Sequence, residues 1–370
     1  MSQIINTPNT IKTTAARERL DQIVAEGLRK AGPVIERVLS ELPEDMVVRG
    51  SSIHFDVTPA GRLRFGQLAQ DQNGPLLRDA HPHALGQIVE RAKVPASYAN
   101  SLAVRGEPGD ENQWRRDLLA HTLREHYVHD KGRYLVRSIG GEARGFLSDR
   151  FRRLDSRPLL EAFVGACQVV GAQPFDGVAT DTRSSIRAIV PRVFEPVPGE
   201  AMVFGLSWNN SDFGAGTYGI SAFILRLICL NGAVGQSAMK QVHLGGRLQD
   251  DIAFSQRTYE LDTKTMVSAT RDVVTSALSA RAIEKQCALV SRAHEQELEW
   301  SAAFRKVRSQ LTKSEERAAQ EAFDGPDVVM LPPGKTLWRF SNALSWVANN
   351  STDPERKLEL QQAAGTVIAA

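Results

Sequence analysis

Apolar residues recur along this chain with two different spacings, and the changes between them divide it into three regions. Residues 1–128 are mostly helical in pattern, because apolar side chains such as Leu20 and Val24 recur at helical spacing. Pro33 interrupts the first of these predicted helices. A short β unit lies farther along, where every second residue from Ile53 is apolar. The first region is therefore predicted to be helical, with one β unit inside it.

The second region, residues 129–260, begins with the alternation of apolar and polar residues that is typical of strands. Two extended runs flank Gly140 and Gly141, and a glycine pair between such runs favours a tight hairpin turn. A helix and three extended segments follow, and the apolar run ISAFILRLICLNG at residues 220–232 is predicted to be another helix. The pattern thus predicts a core made of a β-hairpin, a helix, a three-stranded antiparallel meander and a second helix.

The third region, residues 261–370, returns to helical spacing. Asp262 is predicted to be the N-cap of a long helix, and Thr312 and Glu315 have the spacing of a capping box at the start of another. Together the three regions predict an α+β fold in which helical N-terminal and C-terminal regions flank the mixed core.

Composition changes this picture little, but it limits the kinds of function. The 370 residues are 42% hydrophobic, which is enough for a substantial core, and the net charge is only +2. Any attraction to nucleic acid must therefore come from where the basic residues lie. No signal-peptide pattern begins the chain, and no apolar run approaches the roughly 20 residues that span a bilayer. We expect a cytoplasmic protein with no membrane association.

Basic residues concentrate in the predicted hairpin and in the turn after it, where only Glu142 and Asp149 oppose them. Alternate residues of a strand share a face, so Arg133 and Arg137 are predicted to lie on the same face of the hairpin. A cationic face of this kind can bind a phosphate backbone. The predicted backbone contacts are Lys131, Arg133, Arg137, Arg144, Arg150, Arg152 and Arg153, with Lys240 and Arg247 as a second wall. Possible stacking groups are Tyr134, Phe151 and Phe213. The alternative is a solvated basic face that pairs with acidic residues elsewhere.

Other candidate sites are weaker. Cys167, Cys229 and Cys287 lie far apart, which argues for a reducing compartment and against a thiolate zinc site. Cys229 lies near the C-terminal end of a predicted helix. The helix dipole disfavours a thiolate there, so we interpret Cys229 as a small core residue. Asp262 and Lys264 match only the last part of a nuclease metal motif.

The segment PPGKT around Gly334 has the position of a phosphate-binding loop, but Val329 stands where the motif needs its first glycine. A rigid proline turn before a helix explains it better. Two histidine groups have no carboxylate pattern of a metal triad beside them: His81 and His83, and His121, His126 and His129. The sequence thus gives no convincing catalytic residue, and we expect no cofactor.

Four segments resemble a known family: VPASYANSL, RYLVRSIGGEARGFLSDRFRRLDSRPLL, LSWNNSDFGAGTYGISAFILRLICLNGAV and TLWRFSNALSWV. They look like the conserved-hypothetical phage/plasmid-like proteins of prophages and conjugative plasmids, from about Val94 to the end of the sequence. The most specific parts are RGFLSDRFRRLD and RLICLNG. This resemblance implies mobile DNA but no agreed biochemical activity.

The order of predicted core elements also resembles the single-strand annealing proteins, the group that contains RecT, the lambda beta protein and the eukaryotic Rad annealing mediator. That topology implies binding of single-stranded DNA without ATP, in a basic groove of a homo-oligomeric ring or filament. Two alternatives stay open. One is an anti-defence or regulatory interaction protein of a mobile element, and the other is a metal-dependent nuclease.

Overall fold

Two β-sheets form the frame of the molecule. The computed structural model describes residues 10–67, 76–227, 232–241, 255–325 and 331–369. The first sheet contains β1 (Glu44–Arg49), β2 (Ile53–Val57), β3 (Leu63–Gln67), β4 (Leu76–Ala80), β5 (Arg133–Ile139) and β6 (Glu142–Ser148). Its strands lie in the order β1-β5-β6-β4-β3-β2, and every neighbouring pair is antiparallel except β4 and β6.

The second sheet is antiparallel throughout. It contains β7 (Gln173–Ala179), β8 (Ser184–Ile189), β9 (Met202–Asn210), β10 (Tyr218–Arg226) and β11 (Gly232–Gln241), in the order β11-β10-β9-β8-β7. The predicted three-stranded meander is confirmed as β7, β8 and β9. The prediction of a helix after it is wrong, because residues 218–226 form β10 and continue the sheet. Ile220 and Phe223 of β10 belong to cores on opposite faces, and such a strand reads as a continuous apolar run that spacing alone cannot distinguish from a buried helix.

Helices surround both sheets. They are α1 (Thr10–Ser40), α2 (Pro82–Arg91), α3 (Ala96–Leu102), α4 (Gln113–Val128), α5 (Ser156–Val169), α6 (Gln256–Ala277), α7 (Ala280–Glu295), α8 (Trp300–Phe304), α9 (Lys313–Asp324), α10 (Leu337–Asn349) and α11 (Pro354–Ala369). Among the described helices, none has the length and apolar content to cross a membrane. The α+β class and the helical terminal regions are therefore confirmed.

The first helix continues through Pro33, where the sequence predicted an interruption. Packing explains the difference, because Val34, Ile35 and Val38, just after the proline, lie against the core between α5 and the second sheet. Buried apolar contacts of this kind override the intrinsic cost of one proline.

Each sheet has its own core. Helices α2, α3 and α4 cover one face of the first sheet, where Phe55, Phe65, Tyr127 and Phe146 pack together. Helices α5 and α6 cover one face of the second sheet around Trp208, and the C-terminal helices pack on its far end. The hairpin β5–β6 therefore lies in a different sheet from the meander, although the sequence predicted a single core for both.

The two sheets meet at the loop after β9. His83 and Gln87 of α2 both approach the backbone oxygen of Phe213, each at 3.0 Å. Gly145 of β6 permits the contact, because a Cβ there would lie 3.3 Å from the Cα of Phe213. This loop thus fixes the hairpin against the second sheet.

Candidate nucleic-acid interface

The hairpin turn forms as the sequence predicted. Gly140 and Gly141 both have positive φ, 57° and 84°, and they connect β5 to β6. Only a turn of this handedness matches the twist of the two strands without splaying them, and glycine adopts it without steric cost. The basic residues of the hairpin are therefore carried by a well-formed pair of strands.

Arg137 lies in the interior of the protein and not on a cationic surface. It is 1% exposed, and its Nε and Nη2 donate to Asp45 at 2.7 Å and to Asp155 at 2.6 Å. Nη1 donates to the backbone oxygen of Asp212 at 3.1 Å. Burial alone would lower the pKa of Arg137, but the Asp155 and Asp45 carboxylates raise it above its ordinary value. The position of Arg137 does not support its predicted contact with a phosphate, because three oxygens of the protein already accept from its donors.

Arg144 is also paired within the protein. Its guanidinium lies 3.1 Å from Glu41, at the end of α1, and 3.7 Å from Glu142. It also lies 5.9 Å from the ring centre of Phe213. Arg144 thus holds the hairpin to neighbouring elements, and its predicted role at a phosphate is not supported by its position.

Arg152 and Arg153 pair with acids that are distant in sequence. Nε and Nη2 of Arg152 donate to the two carboxylate oxygens of Asp262, and the distance from Nε to Oδ2 is 2.6 Å. Arg153 lies 2.7 Å from Asp45, and its guanidinium is 4.4 Å from the ring centre of Tyr259. These contacts match the alternative that the basic residues pair with acidic residues elsewhere.

Asp262 is therefore an ion-pair partner and not the N-cap of α6. The N-cap is Ser255, whose side chain accepts from the backbone N–H of Thr258 at 3.3 Å. The sequence prediction was misplaced because the helix begins several residues before its first clear apolar stripe. Lys264 is exposed on the same helix. Among the described residues, no cluster of three or more metal-ligating side chains lies here or elsewhere.

The three predicted stacking groups lie in or against the core. Phe151 and Phe213 are buried. Tyr134 is half-buried, with its ring stacked on Phe146 at 4.6 Å between centres and its hydroxyl donating to Asp130. Burial leaves neither phenylalanine a free face for a base, so a stacking role is not available to them in this conformation.

Four basic residues collect at one end of the three neighbouring strands β1, β5 and β6. We term them the strand-end basic surface: Arg49, Lys131, Arg133 and Arg150. Arg49 lies directly opposite Arg133 across the β1–β5 pair, so the two side chains share a face. The backbone N–H of Asp149 donates to the oxygen of Arg133, which places Arg150 beside them. Sequence reasoning missed Arg49, because only the strand register brings it to the hairpin.

Three of the four charges at this strand end have no ion-pair partner among the described residues. Within the described ranges, Arg49, Lys131 and Arg150 form no ion pair. The nearby Asp130 is occupied by the hydroxyl of Tyr134 and the backbone N–H of Gly132. The exposed cations of the strand-end basic surface are thus Lys131 and Arg150 of the predicted basic region together with Arg49 of β1.

The second predicted wall is only partly described. Lys240 is exposed on β11, which is an edge strand of the other sheet. Arg247 lies outside the described residues, as does Cys229. Cys167 is buried, and burial raises the pKa of its thiol to about 12; burial also raises the pKa of Cys287. Neither described thiol is therefore an activated nucleophile.

The segment around Gly334 forms a turn before α10. Gly334 has a φ of 79°, and Thr336 caps the helix by accepting from the backbone N–H of Arg339 at 3.2 Å. Lys335 pairs with Asp324 at 2.9 Å. The structure thus agrees with a proline turn before a helix, while Val329 lies outside the described residues.

The first histidine pair has local structural contacts. His81 caps α2, because its Nδ1 accepts from the backbone N–H of His83 at 3.1 Å. Burial lowers the pKa of His83, which lies against the oxygen of Phe213. His121 of the second group is exposed on α4 and lies 4.0 Å from Glu125.

Comparison with known proteins found no protein family, no curated protein and no solved structure that matches this chain. The resemblances to phage/plasmid-like proteins and to single-strand annealing proteins therefore stay predictions from sequence.

Proposed function

We propose that the protein binds single-stranded DNA at the strand-end basic surface and promotes annealing of complementary strands without ATP. The observation that carries this proposal is the group of exposed basic residues Arg49, Lys131 and Arg150 at one strand end, with Arg133 directly opposite Arg49. Within the described ranges these three exposed residues form no ion pair, so their side chains can donate charged hydrogen bonds to phosphates.

The mode of binding follows from what surrounds these cations. The aromatic rings of the hairpin are packed into the core, so the surface offers cations for the backbone and little for the bases. A strand held by its phosphates keeps its Watson–Crick edges free to pair with a complement. This is the chemistry that annealing needs.

Four cations give a small site, so assembly into a ring or filament belongs to the proposal. Repeated copies would join their surfaces along one strand and raise avidity. Strand β1 lies at the border of the first sheet beside the basic surface, and an edge strand is a common place for pairing between chains. In this proposal the protein works in the cytoplasm, in recombination of phage or plasmid DNA.

The test is fluorescence anisotropy with a labelled single-stranded oligonucleotide over a range of salt concentrations. With four phosphate contacts, log affinity should fall with log salt with a slope of about −3. The double variant Arg49→Glu and Arg150→Glu should lose binding. The same samples are then examined for annealing without ATP and for size by light scattering.

The matched control is Arg281→Glu with Lys285→Glu on the exposed side of α7, which makes the same change in net charge. This control should bind like the wild type. Equal binding by both double variants, or affinity that does not change with salt, contradicts the proposal.

A further inference from the structure

A groove lined by polar and apolar groups lies between the second sheet and the start of α11. Its cavity volume is about 470 Å³, within the usual range for small-molecule sites. The floor comes from β8, β9 and the loop before β10, with Ser185, Asn209 and Thr217, and Gln361 of α11 forms part of the wall. This groove is on the face of the sheet opposite α5, and neither the hairpin nor the strand-end basic surface contributes to it.

The groove contains one cation whose charge the protein does not balance. Lys357 is half-buried in the wall, and it forms no ion pair with any described residue. Burial lowers its pKa, and the nearby charges of Arg187 and Lys30 lower it further. An ammonium that is partly desolvated and close to two other cations is a favourable place for an anion.

The neighbouring Arg187 differs from Lys357, because its charge is already paired within the protein. It pairs with Asp176 and donates to Gln361 at 2.8 Å. Its guanidinium also lies 5.6 Å and 5.2 Å from the ring centres of Phe175 and Phe223. Arg187 is therefore a fixed positive group behind the groove, while Lys357 is the one with capacity for a ligand.

The mouth of the groove supplies a second cation. Arg183, in the turn between β7 and β8, is exposed and lies 3.6 Å from Glu355 of α11. An ion pair that is this long and exposed contributes little, so the guanidinium can turn to a ligand at small cost. Lys357 and Arg183 thus both line the groove, and each can donate a charged hydrogen bond to an anionic ligand.

The remaining lining indicates what the rest of the ligand is. Many of its residues have hydroxyl or amide side chains, the others include three carboxylates, and none of the described lining residues is aromatic. A nucleobase would find no ring to stack on, whereas the hydroxyl groups of a sugar would find donors and acceptors at Ser185, Asn209 and Thr217.

From this arrangement we propose that the groove binds a small sugar phosphate, with the phosphate monoester between Lys357 and Arg183 and the sugar hydroxyls over Ser185 and Asn209. This inference does not depend on DNA binding, because it uses a different face of the molecule and a different ligand.

The test is isothermal titration calorimetry of the full chain with ribose 5-phosphate, with ribose and inorganic phosphate as separate probes. Ribose 5-phosphate should bind more tightly than either component. Lys357→Gln should weaken it about ten- to a hundred-fold, since one charged hydrogen bond is lost. The control Lys264→Gln, at an exposed lysine of α6, should bind normally.

Stability distinguishes a lost ligand contact from a damaged fold. Because Lys357 is partly buried beside other cations, Lys357→Gln should keep or raise the melting temperature. A second variant, Gly216→Phe, fills the groove, because a Cβ there has no neighbour closer than the Nε of Arg183 at 3.7 Å. It should abolish binding while the protein stays folded.

Three results overturn the proposal: no saturable binding of ribose 5-phosphate, equal affinity for ribose, or normal binding by Lys357→Gln. Binding of a 5′-phosphorylated oligonucleotide in place of the free sugar phosphate overturns the assignment to a small molecule.

Discussion

Arg137 shows most clearly how a residue that looks functional in the sequence has a structural role. Its immediate neighbours in the chain are Val136 and Ser138, and no acidic residue lies within four positions of it. Its partner Asp45 lies 92 residues away. The sequence reveals the charge of Arg137 but not the acids that neutralise it, because Asp45 reaches it through the β1–β5 register and Asp155 lies at the start of α5.

We predict that Arg137→Met lowers the free energy of unfolding by about 3 kcal/mol, because removing one member of a buried ion pair leaves its partners without compensation. Urea denaturation measures the change. The control Arg133→Met, on the same face of the same strand, should change stability by less than about 0.5 kcal/mol. If Arg137→Met instead removed DNA binding at unchanged stability, the structural role given to Arg137 would be wrong.

At the scale of elements, local chemistry predicted the start of α9 and the hairpin turn correctly, although it misplaced the start of α6. The capping box at Thr312 and Glu315 is confirmed at the start of α9, and the glycine turn of the hairpin is confirmed as well. Both depend on residues that are adjacent in sequence. Strand β10 was missed for the opposite reason, since its burial on both faces is a property of the whole sheet.

Glu315 connects α9 to α11 as well as capping α9. Its carboxylate pairs with Arg356 at 2.6 Å, and that hydrogen bond, with the capping contacts to Thr312, lowers the pKa of Glu315 to about 2. A carboxyl group whose folded pKa is lowered contributes stability above its unfolded pKa, and loses it as pH falls toward the folded value.

We therefore predict that Glu315→Gln lowers the free energy of unfolding by roughly 1 to 2 kcal/mol at pH 7, and that the difference from the wild type disappears as pH falls from about 4.5 to about 2. Thermal melts over this range measure it. Glu316→Gln, in the same first turn but without an ion pair among the described residues, should show a much smaller difference. An equal loss in both variants would mean that helix charge alone is responsible.

At the scale of the whole molecule, the junction between the sheets depends on a carboxyl group of its own. Asp212 accepts from the backbone N–H of Ser156 at 2.8 Å and so caps α5 from another part of the chain. Burial raises the pKa of Asp212 to about 6, although the charge of Arg137 opposes the shift. Here the folded pKa lies above the unfolded one, so its contribution to stability is complete at low pH and decreases as pH rises.

We predict that the free energy of unfolding of the wild type, measured relative to Asp212→Asn, falls by up to about 2 kcal/mol as pH rises from about 4 to about 6. Asparagine keeps an oxygen for the N–H of Ser156 and has no charge to titrate. Denaturation at a series of pH values measures this difference. A difference that is constant with pH would show that Asp212 does not titrate in this window.

The first sheet joins strands from two of the regions that the sequence pattern separates. Boundaries at residues 128 and 260 follow changes in pattern, and pattern reports only local structure. Pairing across the chain decides the sheets, and it joins β5 of the middle region to β1 of the first. The exposed basic residues could be named from sequence only in part, since Arg49 becomes their neighbour through this pairing.

The position of the hairpin has a consequence for truncated proteins. Strands β5 and β6 lie between β1 on one side and β4 on the other, so they are central strands of the first sheet. A fragment that stops at the change of pattern near residue 128 would remove them, so that β1 would lose its neighbour β5 and β4 would lose its neighbour β6. Any fragment intended to contain the complete first sheet must therefore extend through Ser148, and it then carries the hairpin with it.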